Sequence, residues 1–155
     1  MAGRRDRNRK VQVEIRRARL SDADTIAKLS GQLGYPASGK DMRQRLAKLL
    51  SQPLHGKVLV AESASGGVVG WLHVSATPLL EMAMRAEVNG LVIAEDARSG
   101  GTGALLLESA EQWARAKGCK SMSVRSNVVR KRAHGFYERN GYEHYKTQKA
   151  FRKKL

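Results

Sequence analysis

The sequence predicts a single mixed α/β domain, α+β in character, with a mostly antiparallel central sheet flanked by helices. Three observations predict it: short apolar or alternating runs bounded by turn residues, amphipathic stretches with entry and stop residues, and a glycine cluster between a strand and a helix. The resulting order is β-α-α-β-β-β-α-β-α-β, with helices interrupting a largely antiparallel run. The chain of 155 residues suits one domain. A hydrophobic fraction of 41% is enough to build a core.

Residues 1–10 are nearly all charged or polar and read as a disordered basic tail, leaving 11–155 as the folded domain. Val11 to Ile15 alternates apolar and polar, a strand signal. Ser21 with Asp24 resembles a capping pair. The helix after it sets Ile26, Leu29 and Leu33 on one face and stops at Gly34. Ser38 and Asp41 repeat the entry signal, and Met42, Leu46, Leu49 and Leu50 form the next stripe before Pro53.

Lys57 to Ala61 and Val68 to Val74 read as strands joined through Ser65-Gly66-Gly67. Thr77 to Met84 lacks a period and reads as a loop, and Arg85 to Ala94 as the next strand. A helix from Thr102 to Lys117 carries Leu106, Ala110, Trp113 and Ala114 on one stripe and ends at Gly118. Ser121 to Ser126 reads as a strand, Lys131 to Arg139 as a helix closed by Gly141, and Tyr142 toward Phe151 as a last strand.

The charge is strongly one-sided: 29 Lys and Arg against 14 Asp and Glu, a formal net charge of +15. Residues 4–10 hold five basic groups and one acid, so the excess belongs to the folded body as well. Such a field attracts anions: nucleic acid, anionic membrane or a phosphate-bearing cofactor. Aromatic residues are only 5% and form no interleaved platform for stacking bases, so nucleic acid is permitted but not required. No apolar run could span a bilayer, and no secretory signal opens the chain, so no membrane role and a cytoplasmic location are expected. The single Cys119 excludes an internal disulfide and a cysteine cluster, and four scattered histidines suggest no metal site.

The segment Arg98-Ser99-Gly100-Gly101-Thr102-Gly103 sits where a strand hands over to a helix. Glycines there let backbone N–H groups approach a ligand, and the helix N-terminus adds unpaired donors and partial positive charge. The spacing fits neither a P-loop, since no Lys follows, nor a Gly-x-Gly-x-x-Gly dinucleotide turn. Taken alone, the cluster is either an anion cradle or an ordinary tight turn.

Its neighbours carry a resemblance. Arg98-x-x-Gly101-x-Gly103 resembles the Arg/Gln-x-x-Gly-x-Gly/Ala signature of the GNAT N-acetyltransferase superfamily. Glu87 to Ala94 before it looks like that family's fourth strand, and Ala133 to Tyr142 is similar to its Ala-x-x-Phe-Tyr-x-x-x-Gly-Phe block. The resemblance spans 11–155 and implies a GNAT fold, an acetyl-CoA-dependent transfer to a primary amine, and no metal. It implies that Ser99, Gly100, Gly101, Thr102, Gly103 and Ala104 cradle the pyrophosphate, with Arg98 heading the signature. Leu91, Val92 and Ile93 would pair their backbone with the pantetheine arm, and Gly90 is compatible with the family's bulge. Glu87 would be the general base acting through water, and Tyr137 the acid facing the sulfur. The alternatives are a Glu87 salt bridge to Arg85 or Arg125, and a Tyr137 that only packs. By alternation, Asn89 and Leu91 share the strand face of Glu87.

One position departs from the pattern. The family commonly has an Asn seven residues before the tyrosine, where this chain has Arg130. Either Asn127 takes over its contact to the pantetheine or it is only the helix N-cap. Arg125, Arg130, Lys131 and Arg132 either meet the 3′-phosphate of CoA or form a solvated helix start, and His134 either touches the cofactor or is a satisfied side chain.

The short C-terminal segment and the Glu87-x-Asn-Gly-Leu pattern look like the aminoglycoside 6′-N-acetyltransferase branch, whose members often form homodimers through their last strands. A polycationic antibiotic, however, fits a basic protein poorly, and the acceptor is left as a small-molecule or peptide amine. The competing class is a non-catalytic module on the same scaffold, binding RNA or acidic protein through its charge.

Overall fold

Residues 12–155 are described in the computed structural model of the chain; the basic tail 1–10 and Val11 of the expected first strand lie outside the described residues. The chain divides into two compact units, Met1–Val124 and Arg125–Leu155.

The first unit is built on a five-stranded sheet in the order β1-β2-β3-β4-β5. The strands are β1 Val13–Arg17, β2 Gly56–Ser63, β3 Val68–Thr77, β4 Arg85–Ile93 and β5 Met122–Val124. Pairing is antiparallel as far as β4, and β5 then joins β4 in parallel. The helices are α1 Ala23–Ser30, α2 Gly39–Leu50 and α3 Thr102–Ala116.

The two sheet faces bury different residues. Val58, Val60 and Trp71 pack with Ala23 and Ile26 of α1 and Leu46 of α2. On the other face Leu72, Val74, Leu106 and Leu107 are almost fully buried, and a Cβ on Gly70 would meet Leu106 of α3. Apolar burial on both faces is the main stabilising term.

The helix ends test the entry signals individually. Ser38 caps α2, its hydroxyl accepting from Asp41 N–H at 3.0 Å. Ser21 does not cap α1. A short 3-10 turn, Leu20–Asp22, comes first, and the Asp22 carboxylate accepts from Arg19 N–H at 2.7 Å. Arg16 explains the change: its guanidinium holds Asp22 at 2.8 and 3.0 Å and Glu62 at 2.6 Å, tying β1, the turn and β2 together. Arg16 holds the Asp22 carboxyl below its ordinary range, chiefly through the side-chain hydrogen bond.

In the second unit α4 spans Lys131–Arg139 and ends at Gly141, with φ 87°. The expected last strand from Tyr142 is absent: residues 142–155 carry no regular secondary structure. A strand exists only through its ladder, and this stretch forms none. From residue 143 onward every residue is exposed, five of them Lys or Arg. Among the described residues the order therefore ends β-α, after five strands instead of six.

Candidate active site

The first unit brings two sequence-predicted groups into sequence continuity, the β4 residues and the glycine turn. β4 is interrupted by one extra residue. Val74 pairs with Val88 and His73 with Gly90, so Asn89 has no partner of its own. Asn89 and Gly90 together stand against His73, so Gly90 lies within the bulge. Gly90 also serves another need, since a Cβ there would lie 2.6 Å from the Trp71 ring. Trp71 thus packs over Gly90, its Nε1 buried without a hydrogen-bond partner among the described residues.

The extra residue reverses the parity of the strand. Ahead of the bulge, Ala86 N–H donates to Ser121 on the β5 side at 3.0 Å. Past it, Ala94 N–H donates to Val69 on the β3 side at 2.8 Å. By alternation, the amides of Leu91 and Ile93 then face the edge away from β3. That edge is free of strand pairing among the described residues, because β5 pairs only with Ala86, Glu87 and Val88.

The same reversal corrects the expected strand face. Glu87 pairs with Ser75, and Asn89 Nδ2 donates to Ser75 Oγ at 2.8 Å, so these three share a face. Leu91 pairs with Leu72 and lies on the opposite face. His73, one alternation from Ser75, is half-buried on the Glu87 face, and burial holds its imidazole pKa below the ordinary 6.5. Ser123 is in register with Glu87 on β5, its hydroxyl buried with no partner among the described residues. Ser75, His73 and Ser123 were not singled out from the sequence. The signal lies in the β3–β4–β5 register, which local pattern does not supply.

The glycine turn has the backbone an anion needs. Ser99 and Gly101 adopt left-handed conformations, φ 68° and 83°. The first backbone bond of α3 runs from Leu105 N–H to Gly101 O, leaving the amides of Thr102, Gly103 and Ala104 without intrahelical acceptors. Thr102 is 1% exposed and its Oγ1 has no partner among the described residues. Gly100 and Ala104 are half-buried beside it. Arg98 turns back on its own strand: Nε donates to Ile93 O at 3.2 Å, and Nη2 to Gln32 Oε1 at 3.1 Å. It braces the turn against β4 and the 3-10 turn Gly31–Leu33 that follows α1. Val92, between the two open-edge amides, is buried.

The second unit holds the remaining candidates. Tyr137 is half-buried, edge-on to Phe136 at 5.2 Å and to Tyr142 at 5.8 Å. Desolvation pushes its pKa up to about 12, partly opposed by Arg130, so the phenol keeps its proton at neutral pH. The N-cap of α4 is Arg130, not Asn127. Asn127 instead forms an Asx turn, Oδ1 accepting from Val129 N–H at 3.1 Å, and its carbonyl meets His134 Nε2 at 2.9 Å. One ring nitrogen of His134 is thus engaged with the backbone at the entrance of α4.

Comparison with known proteins gives a consistent result. Residues 54–144, more than half of the chain, match the acetyltransferase (GNAT) domain family. The chain is 28% identical over 134 residues to an uncharacterised N-acetyltransferase of Bacillus subtilis, covering 84% of this chain and 90% of that protein. It is 30% identical over 145 residues to an aminoalkylphosphonate N-acetyltransferase of Salmonella typhimurium, covering 88% and 90%. Among solved structures, an aminoglycoside N-acetyltransferase in complex with CoA superposes with a TM-score of 0.82 at 16% identity, covering 94% of this chain and 97% of that one.

Proposed function

The chain belongs to the GNAT acetyltransferase family, and from that premise we propose that it transfers an acetyl group from acetyl-CoA to a small primary amine carrying an anionic tail. The observation that carries the donor side is the N-terminus of α3: three amides without intrahelical acceptors beside left-handed Ser99 and Gly101, with an unpartnered Thr102 hydroxyl under them. A diphosphate satisfies these groups. The open-edge amides of Leu91 and Ile93 suit an extended amide-bearing arm, and one of them suits the oxygen that becomes negative during transfer.

Acetyl-CoA supplies the activated thioester when bound. Glu87 then removes a proton from the amine through a water, so that the nitrogen lone pair is free to attack. The C–N bond would form and the C–S bond break, the nitrogen losing its second proton to water and the thiolate taking one from water, while Tyr137 donates a hydrogen bond to the departing sulfur. A phenol near 12 facing a thiolate of ordinary pKa about 8.5 would give up its proton uphill. Its contribution is thus stabilisation of the sulfur rather than a completed transfer within the slow step.

Charge favours the anionic tail. A net charge of +15 repels a polycation such as an aminoglycoside and attracts an aminoalkylphosphonate, the acceptor class in the name of the relative at 30% identity. The test has two parts. Acetyl-CoA should raise the melting temperature, and free-thiol release should be faster with aminoalkylphosphonates than with aminoglycosides. No thermal shift at millimolar acetyl-CoA removes the donor assignment, and a preference for the polycation removes the acceptor assignment.

A further inference from the structure

The bulge in β4 places one side chain where a regular strand would not. Asn89 is the unpaired extra residue, it is exposed, and it stands on the face of Glu87 two residues away. Among the described residues its amide is held at one end only. Nδ2 donates to Ser75 Oγ at 2.8 Å, which fixes the amide plane and leaves Oδ1 as an acceptor. Ser75 is the cross-strand partner of Glu87, so the residue that orients Asn89 also lies beside the base. Carboxylate, oriented amide oxygen and supporting hydroxyl are thus held together on two adjacent strands.

A primary amine that is to attack needs two things from such a surface. One proton must leave, and at least one remaining N–H must be held so that the lone pair points in a fixed direction. Glu87 answers the first. We propose that Asn89 answers the second: its Oδ1 accepts an N–H of the acceptor amine, and Ser75 is a positioning residue that keeps that oxygen turned outward. Asn89 is a recognition residue for the ammonium end of any primary amine, whichever tail it carries. The inference rests on the acetyl-transfer reading, since it needs Glu87 to be the base. The protons balance: of the three N–H of the ammonium, one goes through water to Glu87 before attack, a second leaves to water once the C–N bond has formed, and the third, held by Asn89 Oδ1, stays on the amide nitrogen.

The experiment uses the whole chain with acetyl-CoA and its best amine, measuring KM for each substrate by thiol release. Asn89→Leu should raise the amine KM about three- to tenfold and leave the acetyl-CoA KM unchanged. Asn89→Asp, which keeps an outward oxygen, should restore amine binding. Ser75→Ala should raise the amine KM as well, Ser75→Thr should not, and combining Ser75→Ala with Asn89→Leu should add nothing to Asn89→Leu alone. An amine KM within twofold of wild type in Asn89→Leu overturns the proposal, as does full additivity of the two substitutions. Should either variant unfold, Asn89→Asp and Ser75→Thr carry the same comparison, and a raised amine KM in both overturns it. A wild-type chain that binds acetyl-CoA but acetylates no amine removes the parent reading instead, and that outcome is told apart by the thermal shift.

Discussion

Two side chains are given chemical work, and each makes a separable prediction. Glu87→Gln keeps shape and removes the proton acceptor, so kcat/KM should fall about a hundredfold while acetyl-CoA affinity is retained. Titration calorimetry with acetyl-CoA, run beside the kinetics, checks the second half. Tyr137→Phe deletes only a hydroxyl whose proton is held to about pH 12, and turnover should drop about tenfold without loss of donor binding. Unchanged turnover would leave Tyr137 as a packing residue between Phe136 and Tyr142. Both are proposed from the motif positions they hold in the sequence. The residues that share the face of Glu87 were not legible there, since Ser75, Ser123 and His73 enter only through strand register.

At the scale of the element, β4 shows where pattern reading stops. Its existence and limits were evident from Val88, Leu91, Val92 and Ile93, yet simple alternation put Leu91 on the wrong face. One unpaired residue at Asn89 changes the parity, and nothing local in Glu87-Val-Asn-Gly-Leu marks which residue is extra. Gly90 was legible as special, but the reason is the Trp71 ring packed over it. Gly90→Ala should therefore cost about 1–3 kcal/mol through overpacking, read as a fall in melting temperature. Adding Trp71→Leu should recover part of the loss; if it does not, the ring is not the obstacle. The final strand failed for the opposite reason, because its composition allowed a strand and no ladder formed.

Over the whole molecule, charge and burial set the response to solution conditions. Desolvation of the half-buried His73 favours its neutral form, so the unfolded chain binds a proton more readily than the folded chain, and stability should decline as pH falls below 6.5. Asp22 adds a second loss below 3.8, where protonation releases Arg16. Tyr137 acts at the other end: the unfolded phenol ionises from 10.0 while the folded one holds its proton, so stability should fall as pH rises from 10 through about 12. Denaturant melts across pH test all three, and His73→Phe should abolish the first decline alone. The field of +15 also draws in anionic acetyl-CoA, so its KM should climb with ionic strength, a trend that a charge-neutral approach would lack.

The inserted Asn89 makes β4 behave like text with a shifted reading frame. Removing that one residue would let β3 pair without a break, but the strand could no longer satisfy both neighbours: either Ala86 loses its bond toward β5, or Leu91 and Ile93 swap edges with Val92. A single-residue deletion there should therefore erase donor binding while most of the core survives, whereas substitutions at the same position leave the backbone phase intact.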